Sequence, residues 1–331
     1  VQALPLMLLL FLFFPRLGPL WSLPVPNERG AVTGLADSMA PGDIAELTRS
    51  GELAFRASFE GRVPARSELY WRALTLDHFD GRRWSQSPLE QFSPAPQWQP
   101  RGEALRYSVV MQPTTRPWLF GLDVAQTDLQ GTRQMGDFRL QRVRPVDRAL
   151  LYDVSSWPDA LREPQLPANR LKALLRLPPQ GDARSRAWAQ ELRRQYPQDQ
   201  QLVEALLNHF NRQPYVYTLT PATLGADSID EFLFDTRSGF CAHYAGAMVF
   251  VLRAAGIPSR VVAGYQGGEL GSSGNYVQVR QFDAHAWVEY WMPETGWTSV
   301  DPTFQVAPER IEQGLEQALA GEQSFLAEIG R

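Results

Sequence analysis

The spacing of apolar residues changes part-way along the chain, and that change constrains the fold more than any other feature. From about Ile44 to Trp157 the dominant period is two. Leu53, Phe55, Ala57 and Phe59 alternate with Glu52, Arg56, Ser58 and Glu60, and Leu105, Tyr107, Val109 and Met111 alternate with Arg106, Ser108 and Gln112. Such alternation is what a strand with one buried face requires. Asp80-Gly81 and Gly136-Asp137 interrupt apolar runs where tight turns are expected, and the Pro-, Gln- and Ser-rich stretch 86–101 reads as a long loop. Residues 23–157 are therefore expected to form an antiparallel β-sandwich, with His78 a structural residue and nothing that looks catalytic. Beyond the proline-containing linker 157–167 the period becomes helical. Trp188, Leu192 and Tyr196 recur at every fourth position behind Asp182, a residue suited to cap a helix, and Pro197 stops the run. Leu202, Val203, Leu206, Leu207 and Phe210 mark a second helix. The fold class is expected to be α+β, with a second domain over 158–307.

The ends raise the question of a membrane. Leu4 to Phe14 is apolar and uncharged, but shorter than the roughly 20 residues of a spanning helix. It also lacks the basic leader and cleavage site of a signal peptide. With Arg16 and Trp21 as interfacial anchors and Pro24 and Pro26 marking the exit, residues 1–22 are expected to be the trailing end of a truncated transmembrane helix; an N-terminal helix of a soluble core is the alternative. At the other end, Ile311, Leu315, Leu319, Leu326 and Ile329 recur at near-helical spacing. Residues 308–331 are expected to be an amphipathic helical segment interrupted at Gly321.

Across 331 residues the net charge of −4 gives no footprint for nucleic acid, which is recognised by basic surfaces. The one cysteine excludes an internal disulfide and every multi-cysteine metal centre. Lys172 is the sole lysine among 32 basic residues; a GC-rich coding sequence explains this, as would avoidance of surface amines.

The informative segment runs from Arg237 to Thr303. RSGFCAHYAGAMVFVLRAAGIP reads as a loop followed by a helix from about Cys241 to Ala255, with Gly256 at its C-terminal cap and Pro258 beyond. Cys241 then lies in the first turn, where unpaired N–H groups and the helix dipole stabilise a thiolate and can also stabilise an oxyanion. Gly239 would let a substrate approach the backbone. Downstream, SRVVAGY and NYVQVRQ look like strands. In DAHAWVEYWMPETGWTSVDPT, His285, Trp287, Glu289 and Trp291 share one strand face, and a turn at 293–296 returns the chain so that Asp301 comes back beside His285. Cysteine, histidine and aspartate so placed form a thiol triad, with Asp283 and Glu289 competing as the carboxylate. His243 lies about 200° around the helix from Cys241 and faces elsewhere, so a zinc site there is not expected. The acidic cluster Asp227, Asp230, Glu231 and Asp235 reads as a solvated loop, and no cofactor and no obligatory metal are expected.

GFCAHYA, LRAAGIPSRVVAGY, DAHAWVEYW and GWTSVDPT together resemble the transglutaminase-like core of the papain-like superfamily. More narrowly, most of the chain resembles the extracytoplasmic region of bacterial membrane-anchored transglutaminases. The resemblance implies that Cys241 is the nucleophile, His285 the general base and acid, and Asp301 its orienter. It implies acyl transfer from a protein or peptide glutamine carboxamide to a primary amine, in a periplasmic domain tethered to the inner membrane by flanking helices. The family also takes a side-chain oxyanion donor from upstream of the cysteine, for which Tyr215 and Tyr217 are candidates; Trp287, Trp291 and Trp297 could wall the cleft or pack the hairpin core. A cysteine hydrolase (peptidase, amidase or glutamine deamidase) using the same triad, and a non-catalytic scaffold, are the alternatives.

Overall fold

Strands dominate the first half and recur near the end of the chain, and the two sets are interleaved in space. The computed structural model describes Leu35, 38–39, 47–87 and 94–319. The apolar run at 4–14 and the segment after Leu319, including Gly321, lie outside the described residues. Among the described residues no helix is long and apolar enough to cross a membrane. The strands that build the two large sheets and the site are β1 (Leu53–Phe59), β2 (Tyr70–Leu76), β3 (Leu105–Met111), β4 (Gly121–Leu122), β5 (Val124–Gln126), β6 (Leu150–Trp157), β7 (Val216–Tyr217), β8 (Ser238–Gly239), β9 (Ser259–Gln266), β10 (Glu269–Leu270), β11 (Tyr276–Arg280), β12 (Ala284–Met292) and β13 (Gly296–Val300). The helices are α1 (Ala168–Leu174), α2 (Ala183–Gln195), α3 (Asp199–Arg212), α4 (Cys241–Ala254), α5 (Thr303–Val306), α6 (Pro308–Glu312) and α7 (Leu315–Ala318).

A six-stranded antiparallel sheet runs β5-β6-β3-β1-β11-β10, and a five-stranded antiparallel sheet runs β13-β12-β9-β2-β4. The period-two pattern is borne out: Ala57 and Phe59 of β1, and Tyr107, Val109 and Met111 of β3, are buried between exposed Arg56, Ser58 and Val110. Aromatic contacts join the sheets. Phe55 meets the rings of Trp71, Phe120 and Tyr265 at 4.9–5.8 Å, and Trp71 meets Tyr107 at 5.6 Å, spacings typical of favourable aromatic pairs.

The sandwich is therefore real but is not made from residues 23–157 alone. β11 joins the six-stranded sheet beside β1, and β2 pairs directly with β9. A boundary near 157 does not separate two folding units, and all described residues fall within one compact unit that begins at Gly34. The physical reason is pairing demand: β2 has only the short β4 on one edge and completes its hydrogen bonding on the other by adding to β9.

Helix α4 packs on β12 and β9 and is buried along nearly its whole length, which explains why its sequence is apolar on every side. It ends as expected. Gly256 takes φ +87°, its N–H donates to Arg253 O at 3.0 Å, and Ile257 N–H donates to Leu252 O at 2.8 Å, a Schellman closure.

Two local readings need correction. Asp182 starts α2 but does not cap it with its own carboxylate. Its Oδ1 instead accepts the N–H groups of Ile229 and Asp230 at 2.9 and 3.0 Å, while Asp230 accepts Arg184 N–H, Ser185 N–H and the Ser185 hydroxyl. Each acid caps the other's helical turn. Asp227 accepts from Asp182 N–H and Asp235 pairs with Arg184, so the acidic cluster fastens the segment before the cysteine to α2 and is not simply solvated. The segment after 307 is not one helix: α6 and α7 are separated at Gly314, whose φ of +110° breaks the spiral.

Candidate active site

The cysteine loop is built by a short parallel pairing. β7 lies beside β8 in the register Tyr217 with Gly239, two residues ahead of Cys241. Gly239 is required here by packing. A Cβ at this position would meet the His243 ring at 2.8–3.0 Å, so its vacancy is filled by the imidazole one turn into α4. His243 Nδ1 faces Phe240 N–H at 3.4 Å, and burial lowers its pKa to about 4. It serves the start of the helix as a neutral ring.

The hairpin β12–β13 pairs Val288 with Val300, and the next residue, Asp301, carries the carboxylate back toward the start of β12. His285 Nε2 meets Asp301 Oδ2 at 2.7 Å. The other candidate carboxylates are occupied elsewhere. Asp283 is bound to Arg66 at 3.0 Å. Glu289 is held by Arg72, Arg162 and Arg260; burial alone would raise its pKa, and the three guanidinium groups drive it well below the usual range.

Cys241 and His285 are both fully buried. Burial by itself would lower the His285 pKa. The charges of Asp301 and Cys241, with the hydrogen bond to Asp301, more than offset that and raise it to about 9. Asp301 holds Nε2, the opposite Nδ1 has no completed hydrogen bond, and Cys241 is among the neighbours that raise the pKa of the ring. Burial also opposes ionisation of Asp301, yet His285⁺, the Tyr70 hydroxyl and Thr303 N–H bring its pKa below the ordinary value.

Tyr70 is a residue that sequence reasoning missed. It comes from β2, in the half expected to hold nothing of the site, and donates to Asp301 Oδ2 at 2.8 Å. Burial and the neighbouring carboxylate push its own pKa far up, so it remains a neutral donor. Its ring packs against Trp287 at 5.2 Å, and Trp287 lies nearly parallel to His285.

The candidate tyrosines separate clearly. Tyr215 turns its hydroxyl to Leu233 O at 2.9 Å and is a structural residue. Tyr217 is a neighbour of Cys241 and Arg310, and its buried hydroxyl lacks a completed hydrogen bond. Of the indoles, Trp287 is at the site with Nε1 buried and unpartnered. Trp291 and Trp297 pair with each other across the hairpin, six residues along β12 from His285, roughly 20 Å at strand spacing. They belong to a second apolar cluster with Val124, Phe138 and Leu174. Both donate to Glu163, and Arg260 lies 3.8 Å over the Trp297 ring. Trp297 is a packing residue and not a wall of this site.

Arg310, on α6, is the second residue missed. It is fully buried and donates to Gln266 Oε1 and to Ala284 O, each at 3.3 Å. Nothing in its sequence context distinguishes it from the many other arginines.

Comparison with known proteins identifies the family. Residues 1–163 match the family model described as the TgpA N-terminal domain, and residues 186–302 match the transglutaminase-like superfamily. Over 328 residues, 99% of this chain, it is 67% identical to a Pseudomonas aeruginosa protein named protein-glutamine gamma-glutamyltransferase. The chain spans about half, 49%, of that relative's length. An uncharacterised protein of Bacillus subtilis, YebA, is 38% identical over 108 residues, 30% of this chain and 15% of that protein. The crystal structure of the periplasmic domain of TgpA from Pseudomonas aeruginosa superposes with a TM-score of 0.84 at 64% identity, covering 86% of this chain and 99% of that one. With that identity and superposition over most of its length, the chain belongs to the transglutaminase-like superfamily, in the group of the TgpA periplasmic domain.

Proposed function

We propose that the chain is the acyl-transfer portion of a protein-glutamine gamma-glutamyltransferase that works through Cys241, His285 and Asp301. The observation that carries this reading is the 2.7 Å contact of His285 Nε2 with Asp301, which leaves Nδ1 for the only thiol in the chain, at the first turn of α4. Asp301, held in turn by Tyr70, fixes the imidazole and favours its protonated form; an adjacent imidazolium favours the thiolate, the nucleophilic form of cysteine.

In the first half-reaction the Cys241 thiolate attacks the glutamine carboxamide carbon. His285 gives its proton to the departing nitrogen, ammonia leaves, and an acyl-thioester remains. In the second, an amine attacks the thioester carbon, His285 takes a proton from that nitrogen, and the thiolate leaves with the amide formed. The negative oxygen in each tetrahedral intermediate needs donors: the amides of the first turn of α4 and the hydroxyl of Tyr217. Water in place of the amine gives deamidation. With the sulfur and imidazole buried, entry of the acyl donor requires a local opening, and the closed site then excludes water from the thioester.

The relative's description as a periplasmic domain supports placing this chain on the periplasmic side of the inner membrane, anchored through flanking helices. The test of the function is incorporation of dansylcadaverine into dimethylated casein, with ammonia release measured beside it. Cys241→Ala is expected to abolish both. Ammonia release unaccompanied by amine incorporation would make the protein a hydrolase, and full activity in Cys241→Ala would overturn the mechanism.

A further inference from the structure

Beside Cys241 stand two buried donors whose hydrogen-bonding capacity is not used up. Tyr217 Oη and Arg310 Nε have no completed hydrogen bond, and the two side chains are neighbours of one another and of Cys241. A buried donor without an acceptor costs roughly 1–3 kcal/mol, and such atoms are rare in folded proteins. Two of them beside the only thiol make a pair prepared for an acceptor that arrives during the reaction.

The placement of Arg310 is specific. One nitrogen of its fork is tied to Gln266, at the end of β9, and the other to the carbonyl of Ala284, which immediately precedes His285. Gln266 in turn donates to Ile311 O, so α6 and the catalytic strands are bound together around the guanidinium. Burial would discourage its charge, but its polar surroundings, the Asp283 carboxylate among them, more than offset this and keep it a cation. A fixed cation beside a phenol polarises its O–H and makes it a stronger donor toward a third group, as neighbouring polar groups in a low-dielectric interior strengthen one another.

We propose that Arg310 is a positioning residue for acyl transfer: it orients and polarises the Tyr217 hydroxyl, which donates to the oxyanion on the acyl carbon. The segment after the superfamily-matched region thus contributes to catalysis and is not merely a connection out of the domain. No atom is transferred to or from Arg310; the Tyr217 proton stays on the phenol and is shared with the oxyanion while the tetrahedral intermediate lasts.

This inference rests on the reading of Cys241 as an acyl-accepting thiol, and the experiment separates the two. The rate of ammonia release in a single turnover of benzyloxycarbonyl-glutaminyl-glycine is measured for wild type, Tyr217→Phe, Arg310→Gln, Arg310→Lys and the corresponding double variants, with near-UV circular dichroism as the control for folding. Tyr217→Phe is expected to slow acylation about 100-fold, the effect of one oxyanion donor. Arg310→Gln is expected to slow it about 10- to 100-fold, and the double variant to be no slower than Tyr217→Phe alone, because the arginine acts through the tyrosine. Arg310→Lys keeps the charge and loses the fork; it is expected to be several-fold slow, with that deficit absent in the Tyr217→Phe background. A wild-type rate in Arg310→Gln, or deficits that multiply with that of Tyr217→Phe, overturns the inference while leaving the thiol reading intact. A slowdown in either arginine variant that persists without Tyr217 overturns it equally, even if Arg310→Gln is poorly folded. Turnover in Cys241→Ala overturns the thiol reading itself.

Discussion

Asp301→Asn isolates the charge that governs His285. The substituted amide oxygen can still accept from Nε2, so the 2.7 Å contact is retained in geometry while the negative charge goes. In the native protein burial lowers the His285 pKa, and Asp301 and Cys241 lift it to about 9 from an ordinary 6.5. That difference is worth on the order of 3 kcal/mol in favour of imidazolium, at about 1.4 kcal/mol per pH unit. Without the carboxylate the burial contribution is opposed by Cys241 alone, and His285 is expected to titrate at or below 6.5. The assay is pH titration of the His285 ring by NMR, paired with the pH dependence of dansylcadaverine incorporation. Activity at pH 8 is expected to fall roughly 100-fold, as 2–3 kcal/mol implies. Stability follows the same linkage. A histidine with a raised folded pKa contributes fully below pH 6.5 and loses that contribution as pH rises through about 9, so wild type should weaken over that window relative to Asp301→Asn. A His285 that still titrates near 9 in Asp301→Asn would refute the assignment of the charge.

Other expectations are local. Glu289→Gln leaves Arg72, Arg162 and Arg260 buried around a neutral group and should cost about 3–5 kcal/mol by urea unfolding; a loss below about 1 kcal/mol would contradict the view that this carboxylate holds the cluster. The Asp182 carboxyl is pushed up to about 6, first by burial and then by the nearby Asp230 and Asp227 charges against its backbone donors. Its folded state therefore favours the protonated form, and wild type should lose stability from this group between about pH 4 and 6. Asp182→Asn, whose oxygen can still accept from Ile229 and Asp230, should show a flatter profile there, and an unchanged profile would sink the idea. Gly239→Ala drives a methyl into the His243 ring and should destabilise by about 1–3 kcal/mol, with much of the loss recovered in Gly239→Ala/His243→Ala. No recovery would show that the clash lies elsewhere.

What could be read from the sequence was the part encoded locally. Cys241 at a helix start and Asp301 returning on a hairpin beside His285 follow from a capping pattern and a short turn, so their convergence needs only neighbouring residues. Tyr217 was within reach because its strand immediately precedes the acidic segment that leads back to Gly239. Tyr70 and Arg310 were not legible. Tyr70 reaches Asp301 through sheet pairing across 231 residues of sequence, Arg310 reaches Gln266 and Ala284, 44 and 26 residues away, from a short helix that no periodicity distinguishes, and tyrosine and arginine carry no positional signature. The pairing across the expected halves was hidden for a related reason: alternation reveals that a strand has a buried face but not which strand lies next to it, and β2 and β11 pair with strands of the other half. The exchange of caps between Asp182 and Asp230 is equally invisible, since both are good capping residues and only tertiary packing assigns their partners.

The most direct measurement is intact-protein mass spectrometry after brief incubation with a glutaminyl peptide in the absence of amine. An adduct of the peptide less ammonia is expected on Cys241, discharged when a primary amine is added. An adduct on another residue, or amine incorporation that proceeds in Cys241→Ala, would contradict this mechanism.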